Sequence, residues 1–219
     1  MTEEKKIRIM IVDDHPIFRQ GLTELINRQQ YLMVCGEAED APEAMRAIKK
    51  QKPDMVVTDI SLKTTNGLEL IKDIRAQYPN IPIVAISMHE ECYYAERALR
   101  AGAKGYITKQ QAPKEVVVAI REILSGKPYV SSEMTTKMLA NLIDDKSECE
   151  TSPIDCLSDR EMEVFRLISK GLGVSQIAEK LALSVKTIET FRMHIREKLD
   201  LADASELRQY AIQWSRDNK

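Results

Sequence analysis

The sequence predicts an α/β domain with a doubly wound, five-stranded parallel sheet, followed by a smaller all-α domain. Short apolar runs alternate with longer amphipathic segments over residues 7–124. These runs are rich in β-branched residues without polar alternation, which is typical of strands buried on both faces. Residues 157–215 instead show helical periodicity and no strand pattern. A chain of 219 residues is long enough for two such domains.

Five apolar runs are the predicted strands of the first domain. They cover residues 7–12, 32–37, 55–59, 81–87 and 105–109. The segments between them carry apolar residues at helical spacing and contain recognisable helix starts. Asp40 with Glu43 forms a capping pattern, and Pro113 suits the first turn of the last helix. This alternation of strands and helices predicts a parallel sheet with helices on both faces.

A polar segment separates the two predicted domains. Residues 127–154 hold three basic and five acidic residues and contain one predicted helix, at about 131–143. Such a composition is typical of a linker. We therefore predict a first domain over residues 1–126, a linker over residues 127–154 and a second domain over residues 155–219.

The second domain contains the pattern of a helix-turn-helix. Two predicted helices, about 174–181 and 185–199, flank a turn at residues 182–184. This spacing is that of a motif whose second helix enters the major groove of DNA. An apolar stripe along the second helix is expected to pack on the domain core, and it consists of Val185, Ile188, Phe191, Ile195 and Leu199.

The opposite side of this second helix carries the candidate DNA contacts. They are Lys186, Thr187, Glu189, Thr190, Met193 and Arg196. Lys186 and Thr187 stand at the helix start, where backbone N–H groups also attract phosphate. The whole chain has a formal charge of only −2, so binding to nucleic acid must come from a local surface such as this one.

Composition excludes several other classes of protein. The longest apolar run, residues 116–120, is far shorter than the ~20 residues that a membrane helix needs, so we expect no membrane association. The four cysteines form no CxxC pair, which argues against a disulfide framework or a zinc site. A reducing, cytoplasmic location is therefore expected.

Polar residues stand at the carboxyl ends of four of the five predicted strands. They are Asp13, Asp14, Asp59, Ser87 and Lys109. The carboxyl ends of parallel strands meet at one edge of the sheet, where ligands bind. Three carboxylates held together need a cation, and Mg²⁺ prefers oxygen ligands. One carboxylate is then a nucleophile for a phosphoryl group, with the hydroxyl and the ammonium group as donors to the phosphoryl oxygens.

Four motifs in this order, IVDDHP, TDIS, IVAIS and GYITK, resemble the receiver domain of bacterial two-component response regulators, which has a flavodoxin-like fold. The resemblance implies that Asp59 is the phosphoacceptor, that Asp13, Asp14, Asp59 and the carbonyl group of Ser61 bind Mg²⁺, that Ser87 and Lys109 contact the phosphoryl group, and that Tyr106 is an aromatic switch residue. One departure is Lys63, where members of the family often have proline.

Residues 157–215 resemble the LuxR-type helix-turn-helix module through LSDREMEVF, IAEKLALSVKTIE and IREKL. The pairing of this module with a receiver is that of NarL/FixJ-class response regulators. It implies a transcription factor, active as a homodimer on double-stranded DNA, that a sensor histidine kinase or a small phosphodonor controls. Two departures, Glu189 and Phe191, prevent the DNA sequence preference of relatives from being carried over.

Two readings from other classes remain open at this point. A phosphatase of the haloacid-dehalogenase kind also uses an aspartate at a strand end together with Mg²⁺. It usually has a second aspartate two residues after the nucleophile, where this chain has Ser61. The other reading is a protein–protein adaptor that is never phosphorylated. The response-regulator reading predicts no enzymatic activity beyond phosphorylation and dephosphorylation of Asp59.

Overall fold

The computed structural model describes residues 6–62, 66–88, 91–132, 134–136 and 153–217. The chain divides into two compact units, Met1–Asp145 and Lys146–Lys219. Among the described residues, every helix is too short or too polar to cross a lipid bilayer.

The first unit contains the predicted five-stranded parallel sheet. Its strands are β1 (Ile7–Val12), β2 (Leu32–Ala38), β3 (Met55–Asp59), β4 (Ile83–Ser87) and β5 (Gly105–Thr108). Their order in the sheet is β2-β1-β3-β4-β5, and all neighbouring strands are parallel. β4 begins two residues later than predicted, because the Ile81 N–H closes a turn onto the Tyr78 carbonyl group and Pro82 has no N–H to donate.

Five helices cover the two faces of this sheet, as the alternating pattern predicts. They are α1 (Pro16–Asn27), α2 (Ala41–Gln51), α3 (Gly67–Gln77), α4 (Glu91–Ala101) and α5 (Ala112–Leu124). Buried residues of α1 and α5 form one hydrophobic core with one face of the sheet, and those of α2, α3 and α4 form a second core with the other. The predicted helix starts are present: the Asp40 side chain accepts a 2.8 Å hydrogen bond from the Glu43 N–H, and Pro113 lies in the first turn of α5.

The chain after α5 returns to the sheet and pairs with the outer edge of β5. The Tyr129 N–H donates to the Lys104 carbonyl group (2.9 Å), and the Tyr106 N–H donates to the Tyr129 carbonyl group (2.8 Å). Met134 is buried in the same core as Tyr106. The packing therefore extends the first unit beyond the boundary predicted at residue 126, since an unpaired strand edge and an apolar side chain both gain partners there. Residues 132 and 134–136 are helical, while the rest of the predicted helix at 131–143 lies outside the described residues.

The described residues of the second unit form helices and turns and no strand. It contains a 3₁₀ turn (Pro153–Cys156), α6 (Asp159–Ser169), α7 (Val174–Lys180), α8 (Val185–Lys198) and α9 (Ala204–Asp217). Phe165 is fully buried, and its ring lies 6.1 Å from that of Tyr210 and 5.4 Å from that of Trp214. This aromatic cluster joins α6 to α9.

Gly171 ends α6 in a left-handed conformation, with φ +82°. Its N–H donates to the Ile168 carbonyl group, and the next N–H, of Leu172, donates to the Leu167 carbonyl group. These two bonds define a Schellman motif, which favours glycine at this position.

Candidate functional site

The three acids of the predicted phosphorylation site lie together at the carboxyl ends of β1 and β3. The two strands are direct neighbours, with Val12 opposite Thr58, so the residues that follow them are adjacent. Asp13, Asp14 and Asp59 are 1%, 5% and 2% exposed. One ligand atom from each acid and from His15 lies within 4.8 Å of all the others.

The loop after β3 holds the Asp59 carboxylate in place. The Asp59 Oδ1 atom accepts a 2.9 Å hydrogen bond from the Ser61 N–H, and Ser61 pairs with Asn66 across the loop. Gly67 then donates its N–H to the Ile60 carbonyl group. A Cβ atom at Gly67 would overlap the Asp59 carbonyl oxygen, so the close approach of α3 to β3 requires glycine. Lys63 lies outside the described residues.

Lys109 reaches from the end of β5 into the acid cluster. Its Nζ atom lies 2.7 Å from the Asp13 Oδ2 atom and 2.6 Å from the Asp59 Oδ2 atom. The ammonium group also lies 4.7 Å from the centre of the Phe18 ring, in cation–π contact. The Lys109 N–H donates to the carbonyl group of Ser87, which is fully buried at the end of β4. The predicted phosphoryl-contacting residues, Ser87 and Lys109, are therefore neighbours.

The cluster has a surplus of negative charge. Burial raises the pKa of Asp59 to about 6; the Lys109 ammonium group opposes this effect and Asp13 adds to it. Lys109 and His15 lie close by, yet the Oδ2 atoms of Asp13 and Asp59 and the Oδ1 atom of Asp14 have no hydrogen-bond partner of acceptable geometry. Buried, under-satisfied carboxylate oxygens are suitable ligands for a hard divalent cation. The residues present therefore fit Mg²⁺.

Tyr106, the predicted switch residue, is 2% exposed and packs in the core between the sheet and α2, α3 and α4. It is paired with Ala85 of β4 and stands three residues before Lys109. The side chain thus lies on the inside of the fold in this structure. Its role as a switch stays a prediction.

Sequence reasoning missed two residues of this site. The Nδ1 atom of His15 lies 2.7 Å from the Asp14 Oδ1 atom. The Arg19 guanidinium group donates to the Asp13 carbonyl group and forms a 3.0 Å ion pair with Glu37, which ties α1 to β2. The motif IVDDHP did place His15 beside the acids, and Arg19 follows it by one helical turn. The sequence pattern does not indicate that either side chain is directed toward the acid cluster.

The second candidate site is the helix pair α7 and α8. Ala182 adopts a left-handed conformation (φ +52°), and the Leu183 N–H returns to the Ala178 carbonyl group, which closes the turn. The Ser184 hydroxyl then accepts a 3.0 Å hydrogen bond from the Thr187 N–H and caps α8. The turn geometry is that of a helix-turn-helix.

The predicted DNA-contacting side chains lie on the outer side of α8. Lys186, Glu189, Thr190 and Met193 are exposed, and Thr187 and Arg196 are partly exposed. Ile188 and Ile195 on the other side are fully buried, and Phe191 and Leu199 are half-buried. The prediction that Val185 packs on the core is wrong, since its side chain is 46% exposed. Val185 begins the first turn of α8, beside the exposed residues Ser184 and Lys186.

Glu161 fixes the C-terminal end of α8 against α6. Its Oε2 atom accepts hydrogen bonds of 2.6 Å from both the Ser158 N–H and the Lys198 ammonium group, and the residue is 4% exposed. Burial alone would raise the pKa of the Glu161 carboxyl group, but the bonds from Lys198 and Ser158 outweigh it and lower that pKa. The ionised carboxylate therefore stabilises the fold of this unit.

Replacing Glu161 with glutamine is expected to destabilise the second unit by about 1 to 2 kcal/mol at neutral pH, because the ammonium group of Lys198 loses its anionic partner. The lowered pKa means that this stability is present above the ordinary value of 4.5 and is lost as the pH falls through the folded-state value. The difference between wild type and E161Q should therefore shrink in acid. Urea unfolding followed by the fluorescence of Trp214, the single tryptophan of the chain, measures it.

Glu163, two residues further along α6, supplies the matched control. Burial raises the pKa of Glu163 despite its 2.8 Å ion pair with Arg160. E163Q is therefore expected to keep or increase the stability at neutral pH. Equal losses in E161Q and E163Q would contradict the role assigned to the Lys198 contact.

Comparisons with known proteins identify both domains. The family model described as the response regulator receiver domain matches residues 9–121. The model described as bacterial regulatory proteins, luxR family, matches residues 155–211. The chain is 36% identical over 210 residues to oxygen regulatory protein NreC of Staphylococcus haemolyticus. The alignment covers 94% of this chain and 97% of that protein.

Solved structures show the same relationship. A LuxR-family two-component response regulator from Aurantimonas sp. is 38% identical, with a TM-score of 0.59 over 64% of this chain and 99% of that one. RcsB from Salmonella enterica serovar Typhimurium, bound to promoter P1flhDC in the presence of phosphomimetic BeF₃⁻, is 27% identical, with a TM-score of 0.57 over 94% of this chain and 98% of that one. The chain therefore belongs to the LuxR-family two-component response regulators, with a receiver domain followed by a LuxR-type DNA-binding domain.

Proposed function

We propose that this protein is a transcription regulator that phosphorylation of Asp59 controls. A sensor histidine kinase or a small phosphodonor supplies the phosphoryl group, and the reaction depends on Mg²⁺. The observation that carries the proposal is the position of the Asp59 carboxylate, which is buried beside Asp13 and 2.6 Å from the Lys109 ammonium group. No simple structural role requires three buried acids around one lysine.

The arrangement supports attack by the Oδ2 atom of Asp59. The Ser61 N–H holds Oδ1 at 2.9 Å, so Oδ2 is the oxygen directed at the cluster. Asp13, Asp14, Asp59 and the Ser61 carbonyl group would hold Mg²⁺, which supplies positive charge to the phosphoryl oxygens. The Asp59 oxygen forms the new O–P bond while the donor leaves with the electrons of its own bond to phosphorus. Lys109 and the Ser87 hydroxyl are donors to the transferred oxygens.

The signal then passes through Ser87 and Tyr106. Ser87 ends β4, and Tyr106 lies on the neighbouring strand, three residues before Lys109. Movement of the Ser87 hydroxyl toward the phosphate changes the packing around Tyr106. This change shifts an existing equilibrium between two arrangements of the domains, or between monomer and dimer.

The output is sequence-specific binding to double-stranded DNA by α8. Its exposed side carries Lys186, Thr190 and Met193, and a helix N-terminus attracts phosphate. In a homodimer, two such helices contact half-sites about one helical turn apart. The protein acts in the cytoplasm, where it meets both its kinase and DNA.

Incubation of the full chain with Mg²⁺ and acetyl phosphate tests this proposal. One acid-stable, base-labile phosphoryl group is expected by mass spectrometry, and chelation of the metal should prevent its formation. The modified protein should bind a DNA fragment with an affinity different from that of the unmodified protein. Steady release of phosphate from several phosphate esters would instead identify a phosphatase, and an unmodified chain would favour an adaptor.

A further inference from the structure

His15 directs its ring into the acid cluster although it stands at the start of a helix. It occupies the position before the first residue of α1, yet its side chain forms no capping hydrogen bond. The Nδ1 atom instead lies 2.7 Å from the Asp14 Oδ1 atom and 3.2 Å from the Asp13 Oδ1 atom. The side chain is 58% exposed, so the nitrogen faces both the acids and solvent.

The distances suit four ligands of one metal ion. With metal–ligand distances of about 2.1 Å, adjacent ligands of an octahedral ion lie about 3.0 Å apart and opposite ligands about 4.2 Å apart. The Nδ1 atom of His15 lies at adjacent-ligand distances from Asp13 and Asp14. It lies 3.9 Å from the Asp59 Oδ2 atom, close to the separation of opposite ligands.

The acids themselves show that the cluster is built for a cation. Asp13, Asp14 and Asp59 are each at least nine-tenths buried, and each has one carboxylate oxygen without a properly formed hydrogen bond. One ligand atom of each acid lies within 4.8 Å of the others and of a ring nitrogen of His15. An imidazole nitrogen adds nothing for Mg²⁺, which takes oxygen ligands and retains water. It does matter for Co²⁺, Ni²⁺ and Zn²⁺, which imidazole suits.

We infer that His15 makes this cluster a mixed nitrogen and oxygen site that binds late first-row transition-metal ions, Co²⁺ to Zn²⁺, more tightly than Mg²⁺. The inference rests on the same acids as the proposed phosphorylation. The two classes of ion compete, because they share the carboxylates. The Lys109 Nζ atom lies 3.2 Å from the His15 Nδ1 atom. A bound divalent ion would replace this ammonium group as the neighbour of the imidazole.

Titration with Co²⁺ tests the inference, because its visible absorption spectrum reports nitrogen ligands. The full chain, without a polyhistidine tag, is titrated with Co²⁺ and separately with Mg²⁺ at constant pH, as wild type, H15A and H194A. His194 is the control, since it lies in the other unit and is not part of the acid cluster. Wild type and H194A should bind Co²⁺ at least ~10-fold more tightly than Mg²⁺.

H15A should lose ~10-fold or more of the Co²⁺ affinity and the spectral band of a nitrogen ligand. Its Mg²⁺ affinity should fall by a smaller factor than its Co²⁺ affinity, because Mg²⁺ takes oxygen ligands. Equal Co²⁺ affinities in wild type and H15A would overturn the inference and leave the phosphorylation proposal intact. Absence of Mg²⁺ binding and phosphorylation in all three proteins would overturn the proposed function, while the Co²⁺ titration still decides the role of His15.

Discussion

Replacing Asp59 with asparagine is expected to abolish incorporation of phosphate completely. The amide keeps the shape of the side chain, and its oxygen still accepts the hydrogen bond from the Ser61 N–H. An amide is not a nucleophile toward phosphorus at neutral pH, so no O–P bond forms. The measurement is the intact mass of the full chain after incubation with Mg²⁺ and acetyl phosphate. Retention of one phosphoryl group by D59N would show that another residue is the acceptor.

D54N is the matched control for this experiment. Asp54 is a carboxylate just before β3 that accepts a 2.8 Å hydrogen bond from the Arg8 N–H, and it is exposed. Its replacement removes the same charge without touching the cluster, so phosphorylation should match that of wild type.

D59N should also unfold at an equal or higher urea concentration than wild type when no metal is present. The reason is that burial and Asp13 disfavour the ionised form of Asp59, as its raised pKa indicates.

Reversing the charge at Lys186 is expected to weaken DNA binding by about tenfold or more. The side chain is exposed in the first turn of α8, where the helix N-terminus already attracts phosphate. K186E replaces a predicted phosphate contact with repulsion, so the salt dependence of binding should become shallower by about one ion. Gel shifts at several salt concentrations, with the phosphorylated full chain, measure both effects.

R216E is the control for the same change of charge in the second unit. Arg216 is exposed in the last turn of α9, on a different helix from the predicted DNA contacts. Its reversal should reduce the affinity far less than that of Lys186. If both variants lost affinity equally, α8 would have no special part in DNA binding and the assignment of its outer side would be wrong.

The strands and most helices could be predicted because their signals are local. Five solid apolar runs and the capping residue Asp40 depend only on neighbours in sequence, and the structure has them where the patterns indicate. The convergence of Asp13, Asp14 and Asp59 was also predictable. Parallel strands bring their carboxyl ends to one edge, so residues far apart in sequence become neighbours by topology alone.

Other features depend on tertiary contacts that no local pattern contains. The return of Tyr129 to β5 requires a free strand edge at that place, and the composition of residues 127–154 indicates only a linker. Val185 has the helical spacing of a core residue, but its side chain is exposed because the hydrophobic core ends before the first turn of α8. The His15 imidazole contacts Asp13 and Asp14 and does not cap α1. This orientation depends on where the fold places the two acids.

The pairing of Tyr129 with β5 has a consequence for how copies of this protein meet. An open sheet edge invites strand addition by a second chain, which leads to intermolecular sheets and aggregation. Tyr129 occupies hydrogen-bonding groups on the outer side of β5, and the Asn27 side chain accepts from the Val34 N–H on β2, at the other edge. Both edges of the sheet thus carry intramolecular caps. Two copies are therefore expected to associate reversibly through helix surfaces rather than by pairing strands into one intermolecular sheet.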